Sequence, residues 1–293
     1  MYTTPDEDRS DIYLSGAVYV LGPEVFRIIT SGITLPEPLN AVLQLVIAVS
    51  TTVLVPFLLM RYRKERLSTF GFNGDLAVAA QGLLASLPIP AAYVLANVLA
   101  AEPDVLAGVR VYDAAQGPLL DWVVLNWVVL MISGLCVALL AIYVTVKART
   151  AFRADPGYIR TVMVRLARIL AIAAGIASVL LFATMSLQGG VPVLRLAVLL
   201  VPLGAAAMLW LIYRTVPGSL LTSRATLLTP MVVMAIGSVS LFGPAISFVF
   251  GLWMGSLLAD VALAIAVLTE TRRSAWAPLG LAAGLVFLSP LLV

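Results

Sequence analysis

Eight stretches of this chain run for about 20 residues with hardly a charge: 39–60, 76–100, 119–146, 165–187, 191–213, 225–242, 244–269 and 276–293. A helix needs roughly 20 apolar residues to cross a hydrocarbon core of about 30 Å. A soluble fold of this length has nowhere to hide so many of them. Only 11% of the residues are charged and 61% are hydrophobic, against roughly 25% charged in soluble domains. The expected fold is therefore all-α: a polytopic integral membrane bundle of eight or nine transmembrane helices, forming one domain over residues 1–293. A further segment, 12–33, is interrupted by Glu24 and Arg27. These stand one turn apart and can pair, so the segment either spans or lies in the interface. Residues 1–11 read as an acidic, polar N-terminal tail without the basic start of a secretory signal.

The basic residues test this division. If 12–33 is counted as a span, alternate connections carry Arg61, Arg63, Lys64 and Arg66; then Lys147, Arg149, Arg153, Arg160, Arg165 and Arg168; then Arg214 and Arg224; then Arg272 and Arg273. Only Arg9, Arg27, Arg110 and Arg195 lie elsewhere. This pattern marks topology rather than nucleic-acid binding, and positive connections stay in the cytoplasm. The expectation is that 61–75, 147–164, 214–224 and 270–275 face the cytoplasm of a prokaryotic cell membrane. Residues 101–118 and the C-terminus then face outside. Prolines 56, 88, 90, 202 and 230 fall in or near the spans. Each removes a backbone donor and can kink its helix, but proline is common in membrane helices and these read first as ordinary span residues. Gly189-Gly190-Val191-Pro192 reads as a tight turn.

Chemistry is sparse. There is no histidine and one cysteine, Cys136, so the commonest general base and the usual metal cages are missing. No cofactor or metal is expected, and no nucleotide-binding loop is present. Lys64 and Lys147, the only lysines, lie in or beside connecting loops. One acid, Asp260, stands near the middle of a confident span, where a charge costs about 2.5–3.5 kcal/mol on insertion scales. It fits either a proton, cation or ligand-anchoring site, or a neutral carboxyl hydrogen-bonded between two helices. Ser256, one turn earlier, is its candidate partner. If the helix-bonding reading holds, replacing Asp260 by leucine should cost about 0.6–2 kcal/mol. Arg165 and Arg168, one turn apart, either clamp an anionic headgroup or snorkel to the interface.

Three short segments carry a family resemblance. LVPFLLMRYRKERLSTFGF (54–72), Phe182-Ala183-Thr184-Met185-Ser186 and the stretch from Leu211 to Ser223 follow one another as in the CPBP intramembrane proteases, the CAAX-protease and bacteriocin-processing group. The second resembles that family's FxxxH motif, with Ser186 in place of the histidine. The third resembles the turn into the helix bearing the last histidine, and Leu227 stands at that position. The region 139–153, where the family's EExxxR motif belongs, contains no glutamate. The resemblance implies a degenerate, non-catalytic member that binds or scaffolds a membrane lipid, a hydrophobic peptide or another membrane protein. A proton- or cation-coupled transporter built around Asp260 is the alternative, and an active protease fits least.

Overall fold

The computed structural model describes residues 3–30, 37–72, 76–100, 119–152, 155–187 and 192–287. Several expectations lie outside them: the outer loop 101–118, the Gly189–Val191 part of the turn, Arg153, and residues 288–293 of the last apolar run. The described chain is an all-α polytopic bundle with one two-stranded ribbon. Eight of its helices are long and apolar enough to cross a membrane.

Helix α1 (Pro5–Thr30) is the first of the eight. Its start is a capping box. The Thr4 amide donates to the Glu7 carboxylate at 2.8 Å, and the Glu7 amide donates to the Thr4 hydroxyl at 3.3 Å. Pro5 sits at the first helical position, where its missing N–H costs nothing. Residues 5–11 are therefore the first turns of a helix and not a tail. Asp8 and Asp11 are buried, which corrects the sequence expectation.

The next span is built from α2 (Glu37–Val49), a π-helical turn at Ser50–Leu54 and α3 (Val55–Tyr62). Pro56 has no N–H to give the preceding turn, and the wider turn ahead of it absorbs the mismatch. The third span passes through a one-residue turn at Leu87, where α4 (Ala79–Ser86) and α5 (Pro88–Ala100) meet, and Leu87 itself keeps right-handed helical angles. The remaining long helices are α6 (Leu119–Ala151), α7 (Ile159–Leu187), α8 (Pro192–Thr215), α9 (Arg224–Ala245) and α10 (Phe248–Arg272).

The last helix, α11, spans Trp276–Phe287, which is 12 residues. At 1.5 Å per residue it covers about 18 Å, short of a full crossing over the described part. It lies against α4, where Gly82 and Gly280 bring the two backbones together. A Cβ on Gly82 would strike the Ala277 carbonyl, and one on Gly280 the Ala79 carbonyl. Small residues allowing such approach are how membrane helices gain packing in a medium that offers no hydrophobic drive.

Helices α6 and α10 form the centre. Leu140, Ile142 and Val144 of α6 pack with Leu263, Ile265 and Val267 of α10, all buried. The ends of the helices are tied by polar contacts at one end of the bundle. Strands β1 (Pro156–Tyr158) and β2 (Leu221–Ser223) pair antiparallel there, joining the starts of α7 and α9. Ser223 caps α9 by accepting from the Thr226 amide at 3.2 Å. Arg63, Lys147 and Arg149 make their ion pairs at this end too. The segments that the alternating charge pattern grouped together are thus brought to one end, hereafter the basic end.

Candidate functional site

Two regions bury ionisable groups, and they differ in whether the charge is ion-paired among the described residues. The first is at the basic end. Lys147, on α6, is 2% exposed. Its ammonium lies 2.8 Å from Asp8, 2.9 Å from Asp11 and 2.8 Å from Glu65. Lys147 is therefore buried within a helix and not a loop lysine. Asp8 also receives the Thr150 hydroxyl. Arg63 adds ion pairs to Glu7 at 2.7 Å and to Asp11 at 3.3 Å. Asp8, Asp11 and the buried Ser15 share one face of α1 because they recur at helical spacing. Burial pushes the Glu65 carboxyl above its ordinary value, even with the Lys147 ammonium pulling the other way. Nearby, Arg149 pairs with Glu270, its Nε donating at 2.8 Å. This assembly joins α1, the segment after α3, and α6, and its centre is filled by the lysine.

The second region is a lateral groove of about 590 Å³ between α7 and α8, floored by α10. That size falls in the roughly 300–1,000 Å³ range of small-molecule sites. Its walls are apolar: Ala171, Ala174 and Val179 on one side, Leu199, Leu203 and Leu209 on the other. Small residues on α7 keep it open, and an added Cβ on Gly175 would meet nothing within 4 Å. The floor is held by Trp253, whose indole N–H donates to the Val198 carbonyl at 3.1 Å.

Three polar side chains enter this apolar space. Asp260 lies at the floor, 4% exposed. Among the described residues no group hydrogen-bonds to its carboxyl. Ser178, also 4% exposed, lines the groove, and its hydroxyl has no partner among the described residues. Arg168 lines it nearer the basic end. A buried polar group left without a partner carries a penalty of about 1–3 kcal/mol, so a ligand that satisfies one gains that much.

The structure thus brings Asp260 and Arg168 into one site and adds Ser178, a small residue in an apolar run that carries no local signal of its own. Ser256 does not partner Asp260. Its hydroxyl donates to the Trp253 carbonyl of its own helix at 2.7 Å, the usual alternative for a helical serine. Arg165 is exposed on α7, outside the groove lining. The positions singled out by the family resemblance do not converge. Leu227 is buried one turn into α9 at the basic end. Ser186 is exposed near the far end of α7, about 40 Å of helix from Ile159. Phe182 packs with the apolar cluster around Trp253 and Leu257. Compared with protein-family models, curated proteins and solved structures, the chain matches none.

Proposed function

We propose that this is a non-catalytic membrane protein that takes one amphiphile from the bilayer, a lipid or a hydrophobic peptide, into the groove between α7 and α8. Asp260 serves as its polar anchor. The observation that carries the reading is the groove itself: an apolar lateral cavity whose floor presents a buried carboxyl with no hydrogen-bond partner among the described residues. The sequence resemblance to CPBP proteases, in which Ser186 and Leu227 stand where that family has histidines, favours a non-catalytic protein over a protease. The positive-inside rule supports a cytoplasmic basic end in a prokaryotic cell membrane, with α11 leading outward from it.

Crosslinking with a photoactivatable acyl probe tests the proposal. Adducts are expected on 163–179 and 199–213, and Gly175→Phe should remove them by filling open space without disturbing the backbone. Adducts spread evenly over the outer helices, or unchanged in Gly175→Phe, defeat it. Turnover of a hydrophobic peptide that Asp260→Asn abolishes would defeat its non-catalytic part.

The same unpartnered carboxyl supports a second reading, a proton- or cation-coupled transporter. It predicts pH-dependent flux in proteoliposomes. Flux unchanged in Asp260→Ala removes the motive for it.

A further inference from the structure

We infer that the groove selects an amphiphile with a phosphate-bearing anionic headgroup, held at the basic-end mouth by Arg168, Arg165, Arg160 and Arg214; the inference rests on the groove being the binding site. Arg168 lines the groove. Arg165 lies three residues before it and is exposed. The other two are fixed to the groove by its aromatic lining. The Arg214 guanidinium lies 3.8 Å from the ring centre of Trp210, and that of Arg160 lies 5.2 Å from the ring centre of Tyr213. Both rings belong to the groove wall. Stacking of this kind orients a guanidinium without neutralising it.

No carboxylate among the described residues forms an ion pair with any of these four arginines. The Arg160 Nε is buried and lacks a hydrogen-bond partner among the described residues. The contrast with Arg63 and Arg149, which both find acids at the same end of the bundle, is direct. Four guanidinium forks beside an apolar slot match a phosphate joined to an acyl chain, since arginine binds phosphate through paired N–H groups.

The spacing along the helices fits the same ligand. Arg168 lies about 14 Å along α7 from its basic-end start, and Asp260 about 18 Å along α10 from its basic-end terminus. The carboxyl is thus about one turn deeper than the arginine, where the glycerol hydroxyl or ester groups of a phospholipid would lie. Beyond it the groove continues to Ser178, about 29 Å along α7, through walls of Ala, Val and Leu that suit a single chain.

The test is a binding titration on the purified, delipidated full chain in a neutral detergent, followed by native mass spectrometry. The probes are lysophosphatidylglycerol, the monoacylglycerol with the same single chain, and inorganic phosphate. Wild type should bind lysophosphatidylglycerol at least about tenfold more tightly than monoacylglycerol, a gap of about 1.4 kcal/mol. The pair Arg165→Gln and Arg168→Gln should erase that preference and leave monoacylglycerol binding unchanged, while Arg168→Lys alone should retain part of it. Because Arg165 and Arg168 are exposed, these variants should melt with wild type; if the pair does not, Arg168→Gln alone carries the comparison. Equal affinity of wild type for the two lipids overturns the headgroup inference and leaves the groove reading intact. Absence of binding for both lipids, or full binding by Gly175→Phe, overturns the groove reading beneath it. Inorganic phosphate binding as tightly as lysophosphatidylglycerol shows that free phosphate is the ligand and overturns the lipid assignment.

Discussion

The assembly around Lys147 and the groove over Asp260 both take ionisable groups out of water, yet only the first pairs them with opposite charges. Around Lys147, three carboxylates converge on a single ammonium within 2.9 Å. At Asp260 the carboxyl meets apolar walls, and no described group hydrogen-bonds to it. Burial is nearly the same in the two places. The difference lies in pairing: a buried charge with its counterions present holds helices together, whereas a buried carboxyl without them favours an incoming ligand. Removing one member of a buried pair is costly because the rest is left uncompensated. Removing a group that was never paired is not.

The sharpest way to break this contrast is Lys147→Met. It strands Asp8, Asp11 and Glu65, and the expected loss is about 3–5 kcal/mol, read as a collapse of the melting temperature in detergent. Adding Asp8→Asn and Asp11→Asn should recover part of it. A Lys147→Met protein that melts like wild type would show that the assembly is not structural. Arg149→Gln comes next. It leaves Glu270 with a weakened donor set, and about 1.5–3 kcal/mol should be lost by the same measurement.

Asp260→Leu should go the other way. With no helix-bridging bond to lose, it should stabilise the fold by up to about 1–3 kcal/mol, the penalty of a buried unpartnered polar group, while Asp260→Asn stays near wild type. A loss on Asp260→Leu as large as that of Arg149→Gln would erase the distinction between the two regions.

The smallest effect is one of pH. Because Glu65 is held above its ordinary value in the folded protein, the folded state takes up its proton more readily than the unfolded chain. Its contribution to stability is therefore fully present below the usual carboxylate range and declines as pH rises through its raised value. Glu65→Gln should flatten that decline in melts run from pH 4 to 8.

Which of these residues the sequence makes legible follows from how far apart the partners lie. Asp260 stands out because a single acid in an apolar run is anomalous in its own window. Pro56 and Pro88 mark the irregular turns at Ser50–Leu54 and Leu87 in the same local way, because each lacks a backbone donor. The N-terminal acids are not, since an acidic stretch ahead of an apolar run resembles a solvated tail until its counterion is known. The counterion is Lys147, 139 residues beyond Asp8. A local signal did exist, in that Thr4-Pro5-Asp6-Glu7 has the spacing of a capping box and starts the helix before the acids instead of after them. Ser256 misled for the opposite reason: it shares a helical face with Asp260, but its own backbone carbonyls are closer. For Arg165 and Arg168 the sequence leaves a headgroup clamp and interfacial snorkelling both open, because their lack of acidic partners is a property of the assembled bundle.

The long separation within the Lys147 assembly also sets an order of events during synthesis. Asp8 and Asp11 leave the ribosome first, on a segment that must itself enter or cross the membrane. At about 5–20 residues per second, Lys147 follows Asp8 about 7–28 s later. Until then the nascent chain carries an acidic face on its first helix with only Arg63 and the neighbouring loop to meet it. Commitment of that helix to its final seat thus waits for the middle of the chain, and a ribosome stalled before α6 would hold a first helix not yet locked in place.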